Sequence, residues 1–414
     1  MKRVVITGMG TVNPLGLNAK DTWEAMINGK SGIAQISNFD AQSYASTIAG
    51  EVKNIDSVLP VCSEKNAAKL KKMDKFILYA AAAVKEAATQ AQISSISDRT
   101  RIGVSVGSGI GGLEIQQKNI IAWHEKGHRR VNPFYIPALI GNIASGFISI
   151  EHNCKGPNFA LQTACATANH SIGMGMMCIQ NGMTDVMIVG GSEAAVSEMG
   201  LAGFCNMRAL STKYNATPER ASRPFDADRD GFVMAEGAGV LIIEEYEYAK
   251  KRGVPILCEL VSFGMSGDAY DLVMPHESGE GALRSMEMAC KYAQIDPSEI
   301  DYINTHGTAT PLGDVAETKA IHNLVKGNQT KLTVGSTKSI HGHLLGATSG
   351  VEAIACIMAT REGKIPPNLN LDNIDPEIPL TCLNTKLIEK DVNIVLSNSF
   401  GFGGHNSTIC FRKI

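Results

Sequence analysis

Cys165 lies in the run Gln162-Thr163-Ala164-Cys165-Ala166-Thr167-Ala168, just before a helical pattern from His170 to Ile179. Small neighbours let another backbone or a thioester approach the sulfur. A helix start favours a thiolate through its dipole and unpaired N–H groups, and such a turn can also hold an oxyanion. The competing reading, an inert buried thiol, describes most of the ten cysteines. Two histidine loops shift the balance at Cys165. His306 follows a short apolar run, in Asn304-Thr305-His306-Gly307-Thr308-Ala309-Thr310-Pro311. His343 does the same in Gly335–Leu344, a stretch that also carries Lys338 and His341. Histidines just past strand ends suit a site at the carboxyl edge of an α/β sheet. The Gly-rich loop Asn398–Asn406 carries Phe400 and Phe402. An aromatic there could gate a pocket; the plainer reading is a tight turn before the last strand.

These residues need elements to hold them. Short apolar runs at Arg3–Gly8, Arg101–Gly107, Thr184–Gly191, Gly237–Glu244, Asp301–Thr305, Leu332–Val334 and Asn393–Leu396 read as strands. Thr184–Gly191 lacks polar alternation, so both of its faces are expected to be covered. Asp74–Gln92 reads as a helix with Phe76, Ile77, Ala80, Ala81 and Val84 on one face. Strands alternating with helices predict an α/β fold built on a mostly parallel sheet. A charged helix over Glu244–Pro255 links two halves of similar element order, which hints at duplication.

Composition narrows the class. The chain has 414 residues, 44% hydrophobic, 19% charged and 6% aromatic, so it is neither disordered nor fibrous. A net charge of −3 argues against whole-surface attraction to nucleic acid or membrane and leaves room for local basic patches. No cysteines form a CxxC pair, which suits reduced thiols in a cytosol. Arg3–Gly8 reads as a strand rather than a leader. The apolar region Ser171–Gly191 is interrupted by Asn181, Gly182 and Asp185, so no membrane insertion is expected. Gly107–Gly112 matches GxGxxG, but an acidic residue is needed at the end of the next strand about 20 residues on, and Trp123-His124-Glu125-Lys126 there reads as a polar loop with no strand before it. Close backbone packing is the better account. His341 and His343 have no carboxylate or thiolate at ligand spacing beside them, so no metal is expected. Lys69, Lys71, Lys72 and Lys75 read first as a solvated face, and Arg129-Arg130 as a polar loop.

Taken together, TACATA, NTHGTATPLGD, GSTKSIHGHLLGA and NSFGFGGHN resemble the β-ketoacyl-acyl carrier protein synthases, closest to the elongating type II kind. ASRPFDADRDGFVMAEGAG and GFGMSGDAYDLVMP extend the likeness to nearly the whole chain. The resemblance implies a thiolase-like, five-layered αβαβα fold from two similar halves, 1–250 with the nucleophile and 251–414 with two histidines and the gating loop. It implies a homodimer that needs no cofactor and meets an acidic acyl carrier protein. Cys165 would take the acyl chain. His306 and His343 would hold the enolate formed when malonyl thioester loses carbon dioxide, and the N–H groups of Cys165 and Phe402 the second oxyanion. Lys338, oriented by Glu352, would tune the histidines, while Thr308 and Thr310 would bind pantetheine. Phe402 would be the gate. Ile110, Tyr135, Ile136, Gly200, Phe204, Leu345 and Phe400 would line the acyl tunnel or its mouth. Lys69, Lys71, Lys72, Arg129, Arg130 and Arg208 would meet the carrier.

The sequence departs from the family at His341 and His405, where threonine is usual. Extra imidazoles near the mouth are expected to alter loop opening or pH response. A biosynthetic thiolase would want a second cysteine where Gly-Phe-Gly-Gly stands, and a starter-type enzyme an asparagine in place of His343. A polyketide ketosynthase shares these residues and stays open. A non-catalytic chain-length partner is disfavoured by Cys165, and nothing around Cys165 or His306 suits a thiol protease.

Overall fold

The computed structural model describes residues 2–414. Nine strands form one sheet: β1 (Val4–Val12), β2 (Ile102–Gly107), β3 (Val186–Glu193), β4 (Gly237–Glu245), β5 (Cys258–Gly267), β6 (Tyr302–Asn304), β7 (Thr333–Gly335), β8 (Ile394–Gly401) and β9 (His405–Arg412). Their order is β2-β3-β4-β1-β5-β9-β8-β6-β7. Only β2–β3, β8–β6 and β6–β7 are parallel. The sheet is therefore mixed, which corrects the expectation of a mostly parallel one. Strands covered on both faces are continuous apolar runs whatever their direction, so the pattern carries no sign of it. Direction is decided by the connections: β8 turns straight back into β9, with Gly403 and Gly404 at φ 81° and 72°, a region glycine enters without steric cost.

The strand order repeats itself about its centre. Outward from the middle, β1-β4-β3-β2 is matched by β5-β9-β8-β6. Where the second half adds β7, the first has a single parallel bridge, Val104 to Asn158. The halves join through β1 and β5 over only three pairs, Val4–Ile6 against Cys258–Leu260.

Side-chain alternation along the strands builds the layers. On β4, Ala238, Val240 and Ile242 enter one core with Phe76, Ala80, Ala83 and Ala87 of α1 (Lys75–Gln90). Leu241 and Ile243 enter a second with Ile172 and Met176 of α2 (Thr167–Gln180). On β8, Val395 joins that second core, whereas Ile394 and Leu396 face a third with Met286 of α3 (Glu280–Ala293) and Ile321 of α4 (Pro311–Leu324). The second core also receives Val351 and Ile354 of α5 (Thr348–Glu362). The result is helix, sheet half, helix, sheet half, helix, with α2 and α5 between the two halves of the one sheet. Each buried Phe or Ile in these cores contributes about 1.5–3 kcal/mol. Glycine lets the middle helix sit directly on the strands: a Cβ on Gly239 would lie 2.3 Å from the carbonyl carbon of Gly350 and the nitrogen of Val351.

Candidate active site

The two middle helices start at one place, each after a 3-10 turn: Ala164–Ala166 before α2 and Leu345–Ala347 before α5. Ala164 and Leu345 both have φ 49°, a left-handed conformation that costs a non-glycine residue about 1–3 kcal/mol and so marks an imposed geometry. The two turns are equivalent in the repeat. Thr167 Oγ1 clasps the first, accepting from the Thr163 N–H at 2.9 Å and donating to the Ala164 carbonyl at 2.7 Å. Ser399 Oγ of β8 donates to the Cys165 carbonyl at 2.8 Å.

Cys165 Sγ lies 3.1 Å from His343 Nε2. The His343 and His306 rings meet edge to face, with centroids 5.4 Å apart and planes at 84°. His343 is anchored on every side. Its N–H donates to the Val233 carbonyl at 2.7 Å, its carbonyl accepts from the Ala235 N–H at 2.8 Å, and its Nδ1 is 2.9 Å from Thr348 Oγ1. His306 is held by its backbone: the N–H groups of His306 and Gly307 donate to the two oxygens of Glu317, at 2.9 and 2.8 Å. Asn398 Nδ2 donates to the same carboxyl at 3.1 Å, and burial pushes that acid up to about 7. Lys338 Nζ donates to Glu352 Oε1 at 2.5 Å, and both side chains are buried. Burial first, and then the Lys338 charge, hold His306 and His343 well below the usual imidazole range. Both rings are neutral at pH 7, able to accept or donate a proton at nitrogen.

Burial also pushes the Cys165 thiol up to about 12, opposed by the Lys338 charge and by the N–H groups of Cys165 and Phe402, which face the sulfur. The pull of the helix start toward a thiolate is outweighed here. Desolvation wins in the resting site, so the proton needs an acceptor, and His343 Nε2 stands within reach. The sulfur and the two histidines bring their ligand atoms within 4.8 Å of one another. That spacing could suit a thiophilic metal ion, but a Lys338 charge that already destabilises imidazolium there opposes any cation.

The site opens into a cavity of about 650 Å³, lined by Cys165, His306, His343, Thr308, Thr310, Phe400, Phe402, Ile110, Phe204, Leu345 and Arg208 among others. The two threonine hydroxyls are 3.1 Å apart. Lys338 and Glu352 lie outside the lining, packed behind the histidines. Three expected tunnel residues do not reach this cavity in the single chain. Tyr135 and Ile136 sit on the short helix Tyr135–Leu139, where Ile136 is 57% exposed, and Gly200 is buried in the helix Glu198–Asn206. Lys69, Lys71, Lys72, Arg129, Arg130 and Arg208 are all exposed, and Lys72 Nζ rests 4.6 Å from the centroid of the Phe134 ring.

His341 is not at the mouth. It is fully buried, with Nδ1 2.7 Å from the Gly342 carbonyl and Nε2 3.0 Å from Thr337 Oγ1, and burial lowers it to about 3. It stays neutral near pH 7, which corrects the expectation of a pH-responsive group. His405 is exposed at the end of the Gly-rich loop, its ring 6.4 Å from that of His170. The GxGxxG segment is a packing device: a Cβ on Gly107 would lie 2.3 Å from the Leu161 carbonyl oxygen. Sequence reasoning missed Glu317, Thr348 and Ser399. Glu317 left a trace, a carboxyl that with Asp314 stands among the mostly apolar buried residues of α4. Serine and threonine in a Gly- and Ala-rich stretch leave none.

Two family models match the chain, "Beta-ketoacyl synthase, N-terminal domain" over residues 1–249 and "Beta-ketoacyl synthase, C-terminal domain" over residues 257–372. The 3-oxoacyl-[acyl-carrier-protein] synthase 2 of Staphylococcus aureus (strain N315) is 45% identical over 417 aligned residues, covering 100% of this chain and 98% of that one. Among solved structures, a beta-ketoacyl synthase from Burkholderia phymatum STM815 aligns over 100% of both chains at TM-score 0.91 and 32% identity. A type II polyketide ketosynthase, solved with its acyl-carrier protein and bound to a hexaketide, aligns over 100% of this chain and 99% of that one, at TM-score 0.90 and 28% identity.

Proposed function

Since the chain belongs to the β-ketoacyl synthase family, we propose that it is a 3-oxoacyl-[acyl-carrier-protein] synthase, an acyltransferase that elongates fatty acyl chains by decarboxylative condensation with malonyl-acyl carrier protein. One observation carries the reading: a buried thiol 3.1 Å from one of two neutral histidines, at the end of a mostly apolar cavity.

The chemistry follows in three steps. Cys165 Sγ attacks the acyl thioester and passes its proton to His343 Nε2. The tetrahedral oxyanion is held by the N–H groups of Cys165 and Phe402. The carrier's thiolate leaves and takes the proton back from His343, so the histidine returns neutral. Malonyl thioester then enters, with its pantetheine arm against Thr308 and Thr310. Its carboxyl C–C bond breaks and carbon dioxide departs. The electron pair stays on the thioester as an enolate, whose oxygen accepts N–H from His306 and His343. Thr348 Oγ1 can accept from or donate to His343 Nδ1, so either tautomer of that ring is served. The enolate carbon attacks acyl-Cys165, the Cys165 S–C bond breaks, the released thiolate takes up one proton from solvent to restore the resting thiol, and the 3-oxoacyl chain leaves on the carrier. Burial, and then the charge of Lys338 oriented by Glu352, favour neutral rings, so His343 gives up its transient proton readily. Phe402 gates the entrance while its N–H serves the oxyanion.

The remaining parts of the reading concern assembly. Exposed Lys69, Lys71, Lys72, Arg129, Arg130 and Arg208 suit an acidic carrier, and Arg208 also lines the cavity. Tyr135 and Ile136, which the resemblance places along the acyl tunnel, lie outside the cavity of this chain, and a homodimer would let them meet the tunnel of a second copy. Halves at 1–250 and 251–414 are supported by the repeated strand order. None of the described helices is long and apolar enough to cross a membrane, compatible with a cytoplasmic enzyme. Among the described residues, the loop Gly401–Gly404 holds no second cysteine, against a biosynthetic thiolase.

The test mixes the protein with acyl-carrier and malonyl-carrier and follows carbon dioxide and product mass. A 3-oxoacyl product two carbons longer is expected, and Cys165→Gln should keep decarboxylation while losing condensation. No carbon dioxide and no lengthened product would end the reading. Iterated extension to a poly-oxo chain would favour the polyketide alternative.

A further inference from the structure

Glu193 ends β3, is fully buried and takes no part in the chemistry above. Its carboxyl accepts four hydrogen bonds. Oε1 accepts from Ser108 Oγ at 2.8 Å and the Ile110 N–H at 3.2 Å. Oε2 accepts from the Gly109 N–H at 2.8 Å and the Gly346 N–H at 3.0 Å. Four donors fill the acceptor sites of an ionised carboxylate. Three belong to the Ser108–Ile110 turn of the first half, and the fourth to the turn that begins α5 in the second.

Those two turns carry adjoining parts of the cavity wall. Ile110 lines it from the first turn and Leu345, next to Gly346, from the second. Nothing else separates the turns: a Cβ on Gly346 would lie 2.3 Å from the Gly109 nitrogen. Two backbones that both present N–H groups repel at that range unless an anion or acceptor stands between them. Ser108 Oγ extends the clamp by accepting the Gly111 N–H at 3.0 Å.

We propose that Glu193 is a positioning residue for acyl-chain selection, its carboxylate setting the distance between the Ile110 and Leu345 walls of the tunnel. This rests on the reading that the cavity receives the acyl chain. In Glu193→Gln the amide NH2 replaces one oxygen and faces two donors, so one wall is released. Ser108→Ala removes one donor to Glu193 and the acceptor of the Gly111 N–H but leaves the three backbone bonds to Glu193, a milder change than loss of the carboxylate.

The experiment measures loading of Cys165 from carriers bearing acyl chains from short to long, alongside malonyl decarboxylation, for wild type and both variants. The ratio of long-chain to short-chain kcat/KM should move by about tenfold in Glu193→Gln, the effect of a methylene-sized change in an apolar pocket. It should move less, in the same direction, in Ser108→Ala, whose decarboxylation rate stays at the wild-type level. Profiles parallel to wild type in the variants that fold would overturn the proposal, with Ser108→Ala deciding it if Glu193→Gln is unfolded. A wild-type protein that loads no acyl chain would instead remove the functional reading beneath it.

Discussion

At the scale of single residues, the site works by withholding water. Burial keeps the Cys165 proton on sulfur and the His306 and His343 rings neutral, and a lysine behind them reinforces the second effect. His343→Ala should slow acylation by about 10²–10⁴-fold, the range for losing a positioned base, as read by acyl-Cys165 formation in a single turnover. The pH dependence has a definite sign. Histidines held below the usual range gain no charge as pH falls through about 6.5, so wild-type decarboxylation should stay flat there. Lys338→Met removes a charge that disfavours imidazolium, so both rings rise toward that value. The variant's pH–rate profile should then acquire an acid limb nearer neutrality. An unchanged profile in Lys338→Met would reduce the lysine to a structural partner of Glu352. Of the residue-level reading, Cys165, the histidines and the phenylalanine loop were legible because each is chemically conspicuous in a stretch of small residues. Thr348 and Glu317 were not, because their roles depend on which loop the fold brings against them.

At the scale of elements, two turns and a hairpin decide the geometry. The loop leaving β8 presses on the Cys165 turn: a Cβ on Gly401 would lie 2.6 Å from the Thr163 carbonyl oxygen and 3.1 Å from the Cys165 nitrogen. Gly401→Ala must push the loop away and carry the Phe402 N–H off the sulfur. Acylation should fall by about 10²–10³-fold, the scale for loss of one oxyanion donor, with little change in malonyl binding. Gly239→Ala tests the packing of α5 on β4. Overfilling this contact should cost about 1–3 kcal/mol, seen as a lowered urea midpoint with an unaltered slope. Strand positions were readable from apolar runs, and α1 from its apolar face. Strand direction was not, since a run covered on both sides looks alike in either orientation.

At the scale of the molecule, a chain with net charge −3 would meet the proposed acidic carrier through a local patch. Reversing Arg129 and Arg130 to glutamate should raise KM for carrier-borne substrates by about three- to tenfold, as expected for two exposed charges. The effect should shrink in high salt and vanish with a short pantetheine thioester. Equal losses with both substrates would remove these arginines from the docking surface. The two-fold repetition of strand order also explains the site's place. Equivalent turns from the two halves point into one space, so one half brings the sulfur and the other the imidazoles.

Residue types and their local spacing were enough to mark the thiol, both histidines, the lysine and the glycine loop, because reactivity and backbone freedom are local properties. They were enough for the αβαβα layering through the resemblance those motifs carry. Tertiary structure alone decided that burial outweighs the helix start at Cys165, that His341 is silent, and that Glu193 ties the Ser108–Ile110 turn to the turn before α5. Desolvation and hydrogen-bond closure depend on which distant segments exclude water from a group, and linear spacing does not encode that.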